Sequence, residues 1–91
     1  MEINHLLAEV NREITKDTIT KAQEMRIQKG GYEKDGFYYT IKEFSTDFPE
    51  GGFWAGVTSK EHAEDTLFLA RYFHPENQYR VTEIRKIEKG N

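Results

Sequence analysis

Apolar residues at helical spacing open the chain. Steps of three and four residues between them place one apolar stripe along a helix, and the positions are Ile3, Leu6, Leu7, Val10 and Ile14. Residues 15–18 then bring threonine and aspartate, which suit helix caps better than helix interiors. We predict either one long helix or two helices, ending at the glycine pair Gly30-Gly31.

The pattern changes to strand at Phe37. Aromatic and β-branched residues run from Phe37 to Phe44, and alternation puts Phe37, Tyr39 and Ile41 on one face and Tyr38, Thr40, Lys42 and Phe44 on the other. A loop containing Pro49 and Gly51-Gly52 leads to a second predicted strand, residues 53–57. Phe53 is predicted to lie in the core. Trp54, on the opposite face, fits either the core or an exposed interface, and Gly56 predicts a bulge or close packing.

A second helix and a third strand follow. Thr58 and Glu61 form a capping-box pattern, which predicts a helix that starts there and stops before Pro75. Its predicted apolar stripe consists of Ala63, Leu67 and Ala70, widened by Phe68, Leu69, Tyr72 and Phe73. The last strand is predicted from Tyr79 to Ile87, and its uneven apolar spacing predicts a bulge or an exposed edge.

These elements predict an α+β fold in a single domain, residues 1–91. An N-terminal helix or helix pair precedes β-β-α-β, and the three-stranded, mostly antiparallel sheet is covered by helices on one face. The first strand is expected in the middle, because a β-α-β crossover then brings the third strand parallel to the second. The other sheet face is expected to be partly open and to carry some of Tyr38, Phe44 and Trp54.

Composition supports a folded domain with little room for an internal site. Aromatic residues make up 13% of the 91 residues, whereas intrinsically disordered chains contain few of them. There is no cysteine, which excludes disulfides and thiolate metal sites. Neither a signal-like segment nor an apolar run long enough for a bilayer is present. We therefore expect a cytoplasmic protein without a membrane partner.

The charge is unevenly distributed. The formal net charge is −3, with nine acidic against four basic residues in 31–78 and four basic against two acidic residues in 79–91. The acidic middle argues mildly against non-specific nucleic-acid binding, which needs a basic surface.

Motifs for chemistry are missing. The three histidines lack the spacing of paired metal ligands, and neither serine lies in a nucleophile elbow. The glycine pairs do not open onto a helix as a phosphate loop does. We predict no catalytic residue, no metal and no cofactor, and thus a protein that is not an enzyme.

The remaining candidates are binding surfaces. Asp47, Phe48 and Glu50 lie in an acidic loop between the first two predicted strands. Exposed aromatic side chains rimmed by charge anchor protein interfaces. The predicted partner-binding residues are therefore Asp47, Phe48, Glu50, Trp54 and Tyr38. The alternative is a small nucleic-acid-binding module that uses the open sheet face and the basic residues Arg80, Arg85 and Lys86. A third hypothesis is a homo-oligomer that sequesters a small ligand between two chains.

The opening of the chain resembles the start of a type II-A anti-CRISPR protein. Met1, Ile3, Asn4, Leu6 and Glu9 are in step with it, over the first nine residues. The small, acidic, cysteine-free format is similar to that of phage and prophage accessory proteins. This resemblance implies a stoichiometric inhibitor that occupies the surface of a larger host protein, and it carries over no functional residue.

Overall fold

The computed structural model describes residues 3–14 and 32–88. They form helices α1 (Ile3–Val10) and α2 (Lys60–Phe73) and strands β1 (Phe37–Phe44), β2 (Gly52–Val57) and β3 (Gln78–Lys86). The strand order is β2-β1-β3, and both neighbouring pairs are antiparallel. The predicted α+β architecture with the first strand in the middle is confirmed. The predicted helix before Gly30-Gly31 lies outside the described residues.

One face of the sheet carries the core. Alternation along β1 turns Tyr39 and Ile41 to the same side, where both are fully buried. The apolar faces of both helices pack there, because burial removes their side chains from water. The other members of this cluster are Leu6, Val10, Val57, Ala63, Leu67, Ala70, Tyr79, Val81 and Ile84.

Strand β3 is held by side chains from both helical segments. Asn11, directly after α1, accepts a hydrogen bond from the Val81 N–H (2.8 Å) and donates one to the Val81 carbonyl (2.9 Å). Arg71 of α2 donates to the Tyr79 carbonyl (3.1 Å). Helix α1 ends at Val10, which is earlier than the apolar spacing through Ile14 predicts. Ile14 is nevertheless buried.

Helix α2 begins one residue later than the capping-box pattern predicts. Ser59, not Thr58, is the N-cap residue, and its hydroxyl accepts a hydrogen bond from the His62 N–H (3.0 Å). The Asp35 carboxylate accepts from the Lys60 N–H (2.9 Å), so a second orphan donor of the helix start is satisfied from outside the helix. Both partners stabilise the start of α2.

Two register shifts shape the sheet. Between Thr40 and Ile41 the β3 partners step from Glu83 to Val81, which confirms the predicted bulge in the last strand. Between Ile41 and Lys42 the β2 partners step from Ala55 to Phe53, so that Trp54 is the extra residue. This second bulge changes the direction of the residues at the start of β2.

The face opposite the two described helices is called the open face below. It carries Tyr38, Thr40, Lys42 and Phe44 of β1 and the residues paired with them, Phe53, Gly56, Gln78, Arg80, Glu83 and Arg85. The predicted division of the β1 side chains between two faces is thus correct. In the described segments, no helix is long and apolar enough to cross a membrane.

Candidate functional site

Trp54 lies at the edge of the helix-covered side of the sheet. As the extra residue of the β2 bulge, it turns toward α2, with its ring centroid 5.0 Å from that of Tyr79 and 5.9 Å from that of His74. It remains 40% exposed. The expectation that Trp54 lies on the open face was wrong, because simple alternation does not include the bulge.

Phe53 shows the complementary change. It pairs with Lys42, which belongs to the open face, and it is 64% exposed. The prediction that Phe53 fills the core was therefore wrong, for the same reason.

The C-terminal half of α2 extends the apolar surface beside Trp54. Leu69 is 40% and Phe73 67% exposed, and Tyr72 is exposed beside Phe73, with ring centroids 5.1 Å apart. Trp54, Leu69 and Phe73 line one groove of about 360 Å³, called the Trp54 groove; Thr66, Ala70 and His74 complete its lining.

Leu69 and Phe73 were assigned to the core stripe in the sequence, so their exposure was missed. The signal was present in the width of the stripe. Seven apolar positions between Ala63 and Phe73 span more of the helix circumference than one sheet contact can cover. Ala63, Leu67 and Ala70 occupy the buried line.

The β1–β2 loop is a compact exposed turn. The Ser45 N–H donates to the Phe48 carbonyl and the Phe48 N–H to the Ser45 carbonyl (both 3.2 Å), and the Gly51 N–H also donates to Phe48 (3.1 Å). Asp47, Phe48 and Glu50 are exposed, as predicted. The Phe48 ring lies against Gly52, where a Cβ would come within 3.0 Å of it.

The five predicted partner-binding residues do not form one surface. Gly52, under the Phe48 ring, pairs with Glu43, which lies on the helix-covered side, so Phe48 and Trp54 share that side. Tyr38 lies on the open face, at the end of β1 away from the loop.

The open face repeats one arrangement twice. Arg85 lies over the Tyr38 ring (5.0 Å from its centroid), and Arg80 lies over the Phe44 ring (4.6 Å). Gly56 of β2 faces Tyr38, and Gly51, directly before β2, faces Phe44, so closely that a Cβ would fall 1.8 Å from the Tyr38 hydroxyl oxygen and 2.8 Å from a carbon of the Phe44 ring. The predicted close packing at Gly56 is confirmed.

Of the predicted basic set, Arg80 and Arg85 lie together on the open face. Lys86 pairs with Phe37, whose side chain packs against the core, so Lys86 belongs to the other side of the sheet. Lys86 therefore does not share the open face with Arg80 and Arg85, because successive strand residues point to opposite faces.

A polar cluster ties α1 to the start of α2. Arg12 Nη1 lies 2.6 Å from Glu64 Oε2, and Lys60 forms an ion pair with Glu9. Burial raises the pKa of the Glu64 carboxyl, although the cations of Arg12 and Lys60 act in the opposite direction. The hydrogen bond and charge of Lys60 lower the pKa of Glu9. These charges are compensated within the cluster, which gives it a structural role.

The same region contains an opening of about 550 Å³ beside Asp35, Lys60 and Glu64. The Tyr39 hydroxyl donates to Asp35 from below it, and burial raises the pKa of Tyr39. No group of three or more histidine or carboxylate side chains in residues 3–14 and 32–88 is arranged to hold a metal ion.

Comparison of the sequence and structure with protein-family models, curated proteins and solved structures finds no match. The functional assignment therefore depends on the geometry of the side chains themselves.

Proposed function

We propose that this chain is a non-enzymatic protein-binding module that inhibits or adapts a larger host protein by occupying its surface. The observation that carries this proposal is the Trp54 groove. Three large apolar side chains, Trp54, Leu69 and Phe73, line it from two different elements and are each at least 40% exposed.

Exposed aromatic side chains that converge on one groove are typical of binding hot spots. Tryptophan is the residue most enriched there, and truncating such an anchor costs about 2 kcal/mol or more of binding free energy. Trp54 is already oriented by its contacts with Tyr79 and His74, so little side-chain entropy would be lost on binding.

The exposed loop extends this surface. Phe48 lies on the same side of β2 as Trp54, and Asp47 and Glu50 flank it in the turn. Acidic residues at the rim of an interface act mainly on the association rate and on partner choice. A partner with a basic rim around an apolar projection would match both features. Origin in a phage or another mobile element, suggested by the format of the chain, belongs to the same proposal.

The test is capture of a partner from a nuclease-treated bacterial lysate, with identification by mass spectrometry. Wild type is compared with Phe73→Ala and Trp54→Ala. Phe53→Ala is the matched control, because Phe53 is an equally exposed aromatic on the opposite face. A stoichiometric protein that Phe53→Ala retains and Phe73→Ala loses supports the proposal.

Phe73→Ala is the more informative variant, because a side chain 67% exposed contributes little to the fold. Circular dichroism verifies that each variant is folded. A partner captured equally by Phe73→Ala and Phe53→Ala would refute the Trp54 groove as the binding surface. Loss of folding in Trp54→Ala alone would show that Trp54 is a core residue.

A further inference from the structure

We propose that the open face binds single-stranded nucleic acid, independently of the protein-binding surface proposed above. The face combines three aromatic rings with three cations on one sheet surface. The rings are Tyr38, Phe44 and Phe53, and the cations are Lys42, Arg80 and Arg85.

The charge of this face is opposite to that of the chain. The chain has a net charge of −3, whereas the open face carries three cations and one acid, Glu83. Glu83 lies 3.6 Å from Arg85 and offsets part of its charge. Within the described residues, neither Lys42 nor Arg80 has a carboxylate partner, whereas Arg12 and Lys60 elsewhere are paired with acids. The open face is thus the basic surface that a polyanion would recognise.

The aromatic groups favour a nucleic acid over an acidic polypeptide. Bases stack on aromatic rings and on guanidinium planes, and this stacking tolerates any base sequence. Arg80 over Phe44 and Arg85 over Tyr38 present a flat guanidinium backed by a ring. A carboxylate-rich peptide would use the charges but has nothing to stack on these planes.

The spacing suits a short single strand. Tyr38 and Phe44 are six residues apart in β1, which corresponds to about 20 Å along the strand. Phe53 stands beside Lys42 between them on β2 and is the most exposed ring of the face. Three stacking positions over that length match the two or three bases that an open sheet platform of other RNA-binding domains holds.

Gly51 and Gly56 let the Phe44 and Tyr38 rings lie close to the backbone. A Cβ at Gly56 would collide with Tyr38, and one at Gly51, directly before β2, would collide with Phe44, so each ring lies close over the backbone of its glycine. The ring-and-arginine pairs then form the outermost layer of this face.

The experiment measures fluorescence anisotropy of labelled oligouridylate and oligothymidylate, each of about 10 nucleotides, as salt is raised. Two or three phosphate contacts predict a slope of log K against log salt of about −1.5 to −2. Arg80→Ala combined with Arg85→Ala should weaken binding at least tenfold at low salt and reduce that slope. Lys34→Ala is the matched control, because Lys34 is an exposed cation outside the open face.

Two further variants separate stacking from charge. Lysine at both positions (Arg80→Lys with Arg85→Lys) keeps the charge but loses the guanidinium planes, and we expect a several-fold loss with an unchanged salt slope. Phe53→Ala should also weaken binding several-fold, although it is expected to retain the protein partner.

Three results would overturn the proposal: no binding of either oligonucleotide at low salt, equal weakening by Lys34→Ala and the double arginine variant, or full competition by polyglutamate of matched charge. The last would identify the open face as a site for acidic protein. None of these results tests the Trp54 groove. That groove is tested by Phe73→Ala, and Phe73 lies on the other side of the sheet.

Discussion

Asn11 offers the sharpest test of how this fold is held together. Its side chain makes both hydrogen bonds of a strand partner, accepting from the Val81 N–H and donating to the Val81 carbonyl, across 70 residues of sequence. Asn11→Ala removes both bonds and leaves two backbone groups of β3 without these partners.

The expected cost follows from the number of bonds. Each hydrogen bond contributes about 1 kcal/mol net, and a partly buried backbone group left unpaired adds to the loss. We expect Asn11→Ala to lower the free energy of unfolding by about 2–3 kcal/mol. That is a large fraction of the roughly 5–13 kcal/mol typical of a domain of this size.

Urea unfolding, followed by the fluorescence of the single tryptophan, measures the loss. With a slope of about 1–2 kcal/mol per M, the midpoint should fall by at least about 1 M. Asn4→Ala is the control, because Asn4 is an exposed asparagine in α1. Coincident midpoints for the two variants would refute the reasoning and show that water replaces the Asn11 bonds without cost.

Three further predictions concern buried groups. Arg12→Met leaves the buried Glu64 carboxylate without its closest cation and should cost about 2–4 kcal/mol of unfolding free energy at neutral pH. Adding Glu64→Gln to that variant should restore part of the loss, and equal urea midpoints for the single and double variants would contradict this. Gly56→Ala forces a Cβ against the Tyr38 hydroxyl and should lower the free energy of unfolding by about 1–2 kcal/mol. An added Tyr38→Ala should relieve this loss, and an undiminished loss in the double variant would show that the strain lies elsewhere. Burial raises the pKa of Tyr39 in the folded state, so the stability linked to its neutral phenol is complete below about pH 10 and is lost as the pH rises further. In urea unfolding at about pH 8 and 10.5, Tyr39→Phe should therefore lose less stability at the higher pH than wild type does. Equal losses in the two proteins would contradict that sign.

The sheet could be predicted well because its pattern is local. The alternation from Phe37 to Phe44 identified β1 and both of its faces, and the uneven spacing in the last strand indicated the β3 bulge. Chain order then placed β1 in the centre. Each of these features is encoded by residues close together in sequence.

The candidate site could be predicted only in part, because it depends on one inserted residue. The bulge at Trp54 exchanges the environments of Phe53 and Trp54, and nothing in the residues 52–57 distinguishes the extra residue from a regular one. The choice of Ser59 over Thr58 as N-cap depends similarly on backbone angles. The width of the apolar stripe on α2 indicates that some of its residues are exposed, but which of them, Phe73 included, depends on how the helix packs on the sheet.

The position of β3 also bears on the order in which the molecule folds. This strand pairs with the central strand and is bonded by Asn11 and Arg71, so three separate parts of the molecule depend on the element that is synthesised after all of them. Before it emerges from the ribosome, the β1–β2 hairpin and the turns of each described helix already have partners close in sequence. We expect α1 to pack stably only after the last strand has paired with β1, so that the domain forms in one late cooperative step.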